Sequence, residues 1–123
     1  MIFIDRSIPK GVAEALKQVR DDVHWLEDKF PHATPETVWL PIAGQNDWLV
    51  ILRDKKVRTR PGERAAIIRN RVGCFIIHQK QDLTKWEYLK LLAKTLDKME
   101  EYFGVTPRPF ICKVDRQGEF RLV

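Results

Sequence analysis

The chain has 123 residues, the span of one compact domain, and 44% of them are hydrophobic, enough for a substantial core. A formal net charge of +5 leans toward a polyanionic partner and says nothing about fold. No apolar run approaches the length of a membrane span, and the N-terminus enters Met-Ile-Phe-Ile-Asp without the basic region or cleavage site of a signal peptide, so a cytoplasmic protein is expected.

Ile2 to Ile4 form a short apolar strand that stops at Asp5. Arg6-Ser7-Ile8-Pro9 reads as a turn, because Pro9 disfavours helix at Ile8. From Lys10 to Arg20, Val12, Ala13, Leu16 and Val19 recur at helical spacing. Val23 to Leu26 is the next strand, ending in Glu27-Asp28, and Lys29 to Ala33 is a loop. Thr34-Pro35-Glu36 has the features of a helix start: a hydroxyl at the N-cap, proline at the first helical position and an acid in the first turn. Pro41 should kink or shorten that helix and Gly44 can close it.

Trp48 to Leu52 is an unbroken apolar run of the kind that forms a strand covered on both faces. It stops at Arg53-Asp54, and a basic segment follows. Pro61-Gly62-Glu63 opens a third helix that Gly73 ends, and Cys74 to Ile77 is a fourth strand. Leu83 to Tyr102 carries Trp86, Leu89, Leu92, Ala93, Leu96 and Met99 on a 3.6-residue period, with Gly104 as its cap. Phe110 to Val114 and Glu119 to Val123 are two strands around a turn at Asp115 to Gly118. The alternation predicts one α/β domain over residues 1–123, with a mostly parallel central sheet, helices on both faces and a C-terminal hairpin.

Cys74 and Cys112 both lie in apolar strand-like runs and are read as reduced, buried thiols. A zinc site from Cys74 and His78 fails on geometry, since four residues along a strand separate them by roughly 13 Å. The four tryptophans, Trp25, Trp39, Trp48 and Trp86, sit in core-like patterns and are assigned to packing rather than to base stacking.

Parallel strands bring their carboxyl ends to one edge, where open α/β sheets keep their chemistry. Asp5, Glu27 or Asp28, and Asp54 should therefore converge there, and Glu36 should start from the same edge. Carboxylates gathered in one cleft repel unless a cation holds them, and hard oxygen ligands select Mg²⁺ or Mn²⁺. Each acid also has a plainer role open to it. Asp54 can start a turn, Asp5 can end a strand, Glu36 and Glu63 can complement helix dipoles, and Asp82 can belong to a turn or a helix start. Lys55, Lys56, Arg58, Arg60, Arg64, Arg69 and Arg71 fall within seventeen residues with only Glu63 as counter-charge. Beside an acidic metal site they would hold a nucleic-acid backbone; otherwise they form a solvated face.

With Phe3-Ile4-Asp5-Arg6-Ser7-Ile8-Pro9, Thr34-Pro35-Glu36 followed by Trp39-Leu40-Pro41 and Gly44, and Trp48 to Lys55, the chain resembles the PIN-like domains, in the branch of toxins of VapBC-type toxin–antitoxin modules. The resemblance covers about residues 2 to 78. It implies a three-layer α/β/α fold and an Mg²⁺- or Mn²⁺-dependent endoribonuclease. Asp5, Glu36 and Asp54 would be its catalytic and metal-binding acids, and Asp28, Asp82 and Glu63 secondary candidates. Asp82 is the nearest match to a further family acid near the fourth strand, and it falls some residues late. Arg6, Lys55, Lys56, Arg58, Arg60 and Arg64 are the expected nucleic-acid contacts. The partners expected are an RNA substrate, an antitoxin protein and a second copy of the chain in a homodimer, with no membrane. The alternative is a non-catalytic nucleic-acid-binding or antitoxin-binding PIN-like module.

Overall fold

A computed structural model of the chain describes residues 1–53 and 61–123. In chain order the elements are β1 (Ile2–Ile4), α1 (Lys10–Lys17), β2 (Val23–Trp25), α2 (Leu26–Lys29), α3 (Glu36–Gln45), β3 (Leu49–Arg53), α4 (Pro61–Arg69), β4 (Gly73–Ile77), α5 (Lys85–Val105), β5 (Phe110–Val114) and β6 (Phe120–Leu122). The sheet runs β2-β1-β3-β4-β5-β6. Every pairing is parallel except β5 with β6. The expected α/β class, the parallel sheet and the terminal hairpin are all present.

Side-chain alternation divides the core in two. Ile2, Ile4, Leu49, Ile51, Phe75 and Ile77 face α1 and α5, meeting Val12, Leu16, Leu92 and Met99. Phe3, Val50, Leu52, Cys74 and Ile76 face the other way, meeting Trp39 and Leu40 of α3 and Ile67 of α4. The sheet is thus covered on both faces, as the continuous apolar strands require. Trp48 precedes β3 and is half-buried, its ring stacked 5.1 Å from that of Phe3.

Several boundaries differ from expectation. Helix α1 ends at Lys17, so Val19 lies beyond it and is 78% exposed. Leu26 starts the short helix α2 where strand and loop were expected; the Asp28 carboxylate accepts the Trp25 N–H at 2.8 Å and caps that turn. Helix α3 starts at Glu36, and Thr34 donates to the Pro31 carbonyl instead of capping it. The helix also continues past Pro41 to Gln45.

Neither Gly44 nor Gly73 acts as a helix stop. Helix α3 closes through Asp47, at φ 53°, with Trp48 N–H bonded to Ala43 O at 2.9 Å and Asp47 N–H to Gly44 O at 3.3 Å. Helix α4 closes the same way through Arg71, at φ 56°, with Val72 N–H to Ile67 O and Arg71 N–H to Ile68 O, both 3.1 Å. These are the paired bonds of the Schellman motif, with a non-glycine residue in the left-handed position. The two glycines serve close packing. A Cβ on Gly44 would lie 1.8 Å from the Asn70 carbonyl oxygen, so α3 and α4 meet backbone to side-chain-free backbone. Gly73 is the first residue of β4, where a Cβ would lie 2.7 Å from the Phe103 ring and 2.8 Å from the Phe110 ring.

Helix α5 starts behind Thr84, whose hydroxyl accepts the Glu87 N–H at 3.1 Å while the Glu87 carboxylate accepts the Thr84 N–H at 2.9 Å. It runs through Gly104 to Val105. Trp86 points out of the core and is 64% exposed, contrary to its assignment to packing.

Candidate functional site at the carboxyl edge of the sheet

Because β1 to β5 are parallel, their carboxyl ends share one edge. Asp5 follows β1 there. Its N–H bonds to Ile51 O at 2.9 Å, prolonging the β1–β3 ladder by one residue, and the residue is only 7% exposed. The Asp5 Oδ2 accepts the Ser7 N–H at 3.0 Å, an Asx-type turn that fixes the carboxylate. Ser7 in turn accepts the Arg53 N–H on its hydroxyl at 3.1 Å. The turn after β1 and the last residue of β3 are therefore tied together, and Asp54 is the next residue in sequence. Asp54, Lys55, Lys56, Arg58 and Arg60 themselves lie outside the described residues.

Glu36 opens α3 and Glu63 sits in the first turn of α4, so both start from this same edge. Their effect reaches a common point. Burial pushes the Cys74 thiol well above its ordinary range, and the carboxylates of Glu63, Asp5 and Glu36 push it further. All three are hard oxygen donors, the donor type that suits Mg²⁺ or Mn²⁺. Among the described residues alone, no group of three or more His, Cys, Asp or Glu side chains is placed to hold a metal ion. The described acids fit such an ion in chemistry, and Asp54 would have to complete the set.

The other candidates have different surroundings. Asp28 forms an ion pair with Lys17 at 2.7 Å besides capping α2. Burial would raise its carboxyl, but the Lys17 and Trp25 hydrogen bonds outweigh that and hold it below the usual range. Glu27 pairs with His32 at 2.8 Å. Asp82 accepts from Tyr88 Oη at 2.8 Å and pairs with Arg53 at 3.4 Å, so it stands at the right edge but is engaged by a cation. The carboxyl end of β4 carries His78 and Gln79 rather than an acid.

Arg6, expected to contact nucleic acid, donates to Thr34 O at 2.9 Å and to His32 O at 3.2 Å. It holds the loop that delivers Glu36 to the edge. Arg64 is exposed on the first turn of α4. Arg69 and Arg71 lie at the far end of that helix, where they border a polar cleft of about 480 Å³ with Asp47 and Arg108 at the opposite edge of the sheet. Of the described residues of the basic stretch, Arg64 thus lies toward one edge and Arg69 and Arg71 toward the other.

Sequence reasoning missed Ser7 and the bracing role of Arg6. The Asp-x-Ser pattern after β1 carried the signal for Ser7, since an acid two residues before a backbone N–H favours such a turn. Nothing local marked Arg6, whose acceptors lie 26 and 28 residues away.

No helix among the described residues is long and apolar enough to cross a membrane. Comparison with curated proteins and with solved structures returned no match. A family model described as a PIN like domain matches residues 1–79, which include β1 to β4 and all the acids of the candidate site except Asp82. PIN domains are generally nucleases, typically bind nucleic acids and usually use divalent metals. Matched over more than half its length, the chain belongs to the PIN-like domain family.

Proposed function

We propose that residues 1–123 act as a single PIN-like domain, an Mg²⁺- or Mn²⁺-dependent RNA endonuclease of the cytoplasm, and the toxin of a toxin–antitoxin pair. The observation that carries the catalytic part is the shared edge: Asp5 follows β1, Glu36 opens α3 and Glu63 lies in the first turn of α4, all at the carboxyl ends of the parallel strands, with Asp54 next in sequence after the strand end that Ser7 ties to the turn at Asp5. The toxin assignment rests on the motifs around Asp5, Glu36 and Asp54 and on their resemblance to that branch. An antitoxin protein and a second copy of the chain are the partners that go with it.

In this reading Asp5, Glu36 and Asp54 are the metal ligands, and Glu63 is a further carboxylate beside them. A bound divalent cation would activate water and stabilise an in-line displacement at phosphorus. The chain's own residues do the positioning. Ser7 holds the Asp5 carboxylate, and Arg6 holds the loop ahead of Glu36. Lys55, Lys56, Arg58, Arg60 and Arg64 neutralise the RNA backbone and orient it over the acids.

The second reading, a non-catalytic nucleic-acid-binding module, is favoured by one observation: Asp82, the nearest match to a further family acid, is occupied by Arg53 and Tyr88. Purified parent and Asp5→Asn protein, incubated with a panel of structured RNAs in Mg²⁺, Mn²⁺ or chelator, separate the two. Asn can still accept the Ser7 N–H through its amide oxygen, so the fold should survive. The enzyme reading expects metal-dependent cleavage by the parent and none by Asp5→Asn. Full cleavage by the variant removes Asp5 from the site, and no cleavage by the parent with either ion leaves the binding module.

A further inference from the structure

Trp86 is the only aromatic residue among the large apolar side chains that stand exposed in the described part of the chain, at 64%, against 6% for Trp25 and 0% for Trp39. It occupies the second position of α5, and α5 begins at the carboxyl edge, directly after the loop that leaves β4. The opposite, buried face of the same turn is tied to the strand end that precedes Asp54. Tyr88, two residues on, bonds to Asp82 at 2.8 Å, and Asp82 pairs at 3.4 Å with Arg53, the residue before Asp54.

The surroundings of this indole are basic. Lys90, one turn along the helix, places Nζ 5.7 Å from the Trp86 ring centroid. Lys85 precedes it, and a Cβ built on Gly11 would lie 3.9 Å from Lys85 Cδ, which brings the Lys85 stem against the start of α1 beside Lys10. Lys10, Lys80, Lys85 and Lys90 are all exposed. The nearby acids are engaged elsewhere: Glu87 by Thr84 N–H and by Arg116 at 2.7 Å, Asp82 by Arg53 and Tyr88. The combination is an exposed π-face flanked by lysines, at the edge that carries the candidate catalytic acids.

We infer that Trp86 is a stacking platform for an unpaired base, with Lys85 and Lys90 contacting the flanking phosphates. The substrate strand would then cross the N-termini of α1 and α5 on its way to the acids. An indole stacks on any base but needs that base free of its neighbours, so the arrangement selects single-stranded RNA or an unpaired loop over a duplex. The inference deepens the ribonuclease reading above and rests on it.

The test measures binding of a single-stranded oligoadenylate and of a blunt RNA duplex, without metal, to the parent, Trp86→Leu and Trp86→Phe. An exposed position tolerates both substitutions, and circular dichroism checks the fold. Loss of one base–aromatic stack should weaken oligoadenylate binding by about fivefold to a hundredfold in Trp86→Leu. Trp86→Phe should retain most of the affinity, and the duplex should be indifferent to either change. Binding of oligoadenylate should also quench the part of the tryptophan fluorescence that Trp86→Leu lacks. Equal oligoadenylate affinity in the parent and Trp86→Leu overturns the inference, and if the parent still cleaves RNA the ribonuclease reading stands without it. If Trp86→Leu instead changes self-association with RNA affinity unaltered, Trp86 belongs to a protein interface and the inference fails. A parent that neither binds nor cleaves RNA brings down both.

Discussion

Replacing Arg6 with Ala separates bracing from RNA contact at a residue where sequence and structure point to different roles. Its guanidinium donates to the part-buried Thr34 carbonyl at 2.9 Å and to the exposed His32 carbonyl at 3.2 Å. A hydrogen bond from a charged donor contributes about 1.5–3 kcal/mol when shielded. The exposed bond competes with water and adds little, so Arg6→Ala should cost about 2 kcal/mol. For a chain of this size that lowers the melting temperature by about 6–10 °C, and the urea midpoint by about 1 M. Arg6→Lys should recover only part, because an ammonium lacks the planar fork that reaches both carbonyls. Since Thr34 lies two residues before Glu36, Mn²⁺ affinity should fall with stability in the same variant. Urea unfolding followed by circular dichroism gives the first readout and calorimetry the second. An unchanged midpoint together with weakened RNA binding would refute the bracing role and return Arg6 to the nucleic-acid interface.

Two further predictions concern packing and charge. Gly44→Ala should destabilise the chain by at least about 3 kcal/mol, because its Cβ would fall 1.8 Å from the Asn70 carbonyl oxygen and backbone must move; thermal melting checks it, and a change below 1 kcal/mol would mean that α3 and α4 separate at little cost. Replacing Lys55, Lys56, Arg58 and Arg60 together with Ala should weaken single-stranded RNA binding almost uniformly across sequences and reduce the slope of log affinity against log salt by about 3; an unchanged slope assigns these charges to a solvated face.

The strands were legible because they are continuous apolar runs, and β1 and β3 end in a charge. Their parallel order followed from the alternation with helices, and with it the placement of Asp5 after β1 and of Glu36 at the start of α3 on one edge. Helix ends were less legible, since Asp47 and Arg71 take the left-handed position that a sequence reader gives to glycine. The real reason for Gly44 and Gly73 is contact with residues far along the chain, Asn70 in one case and Phe103 and Phe110 in the other. Trp86 was misassigned because a 3.6-residue period marks a broad face and does not say how far round the helix the sheet reaches. Leu92 and Met99 lie against it, while Trp86 stands outside. The bracing by Arg6 and Ser7 rests on pairs 28 and 46 residues apart, a separation that no local pattern encodes.

Titration of Mn²⁺ into the metal-free parent and into Asp54→Asn, followed by calorimetry, bears most directly on the proposal that Asp5, Glu36 and Asp54 hold one divalent ion. The parent should bind, and Asp54→Asn should not, with its fold intact. Removing one carboxylate from a self-repelling cluster should also leave the metal-free variant at least as heat-stable as the parent. Equally tight Mn²⁺ binding by the two proteins would contradict the account, since Asp54 would then not be a ligand.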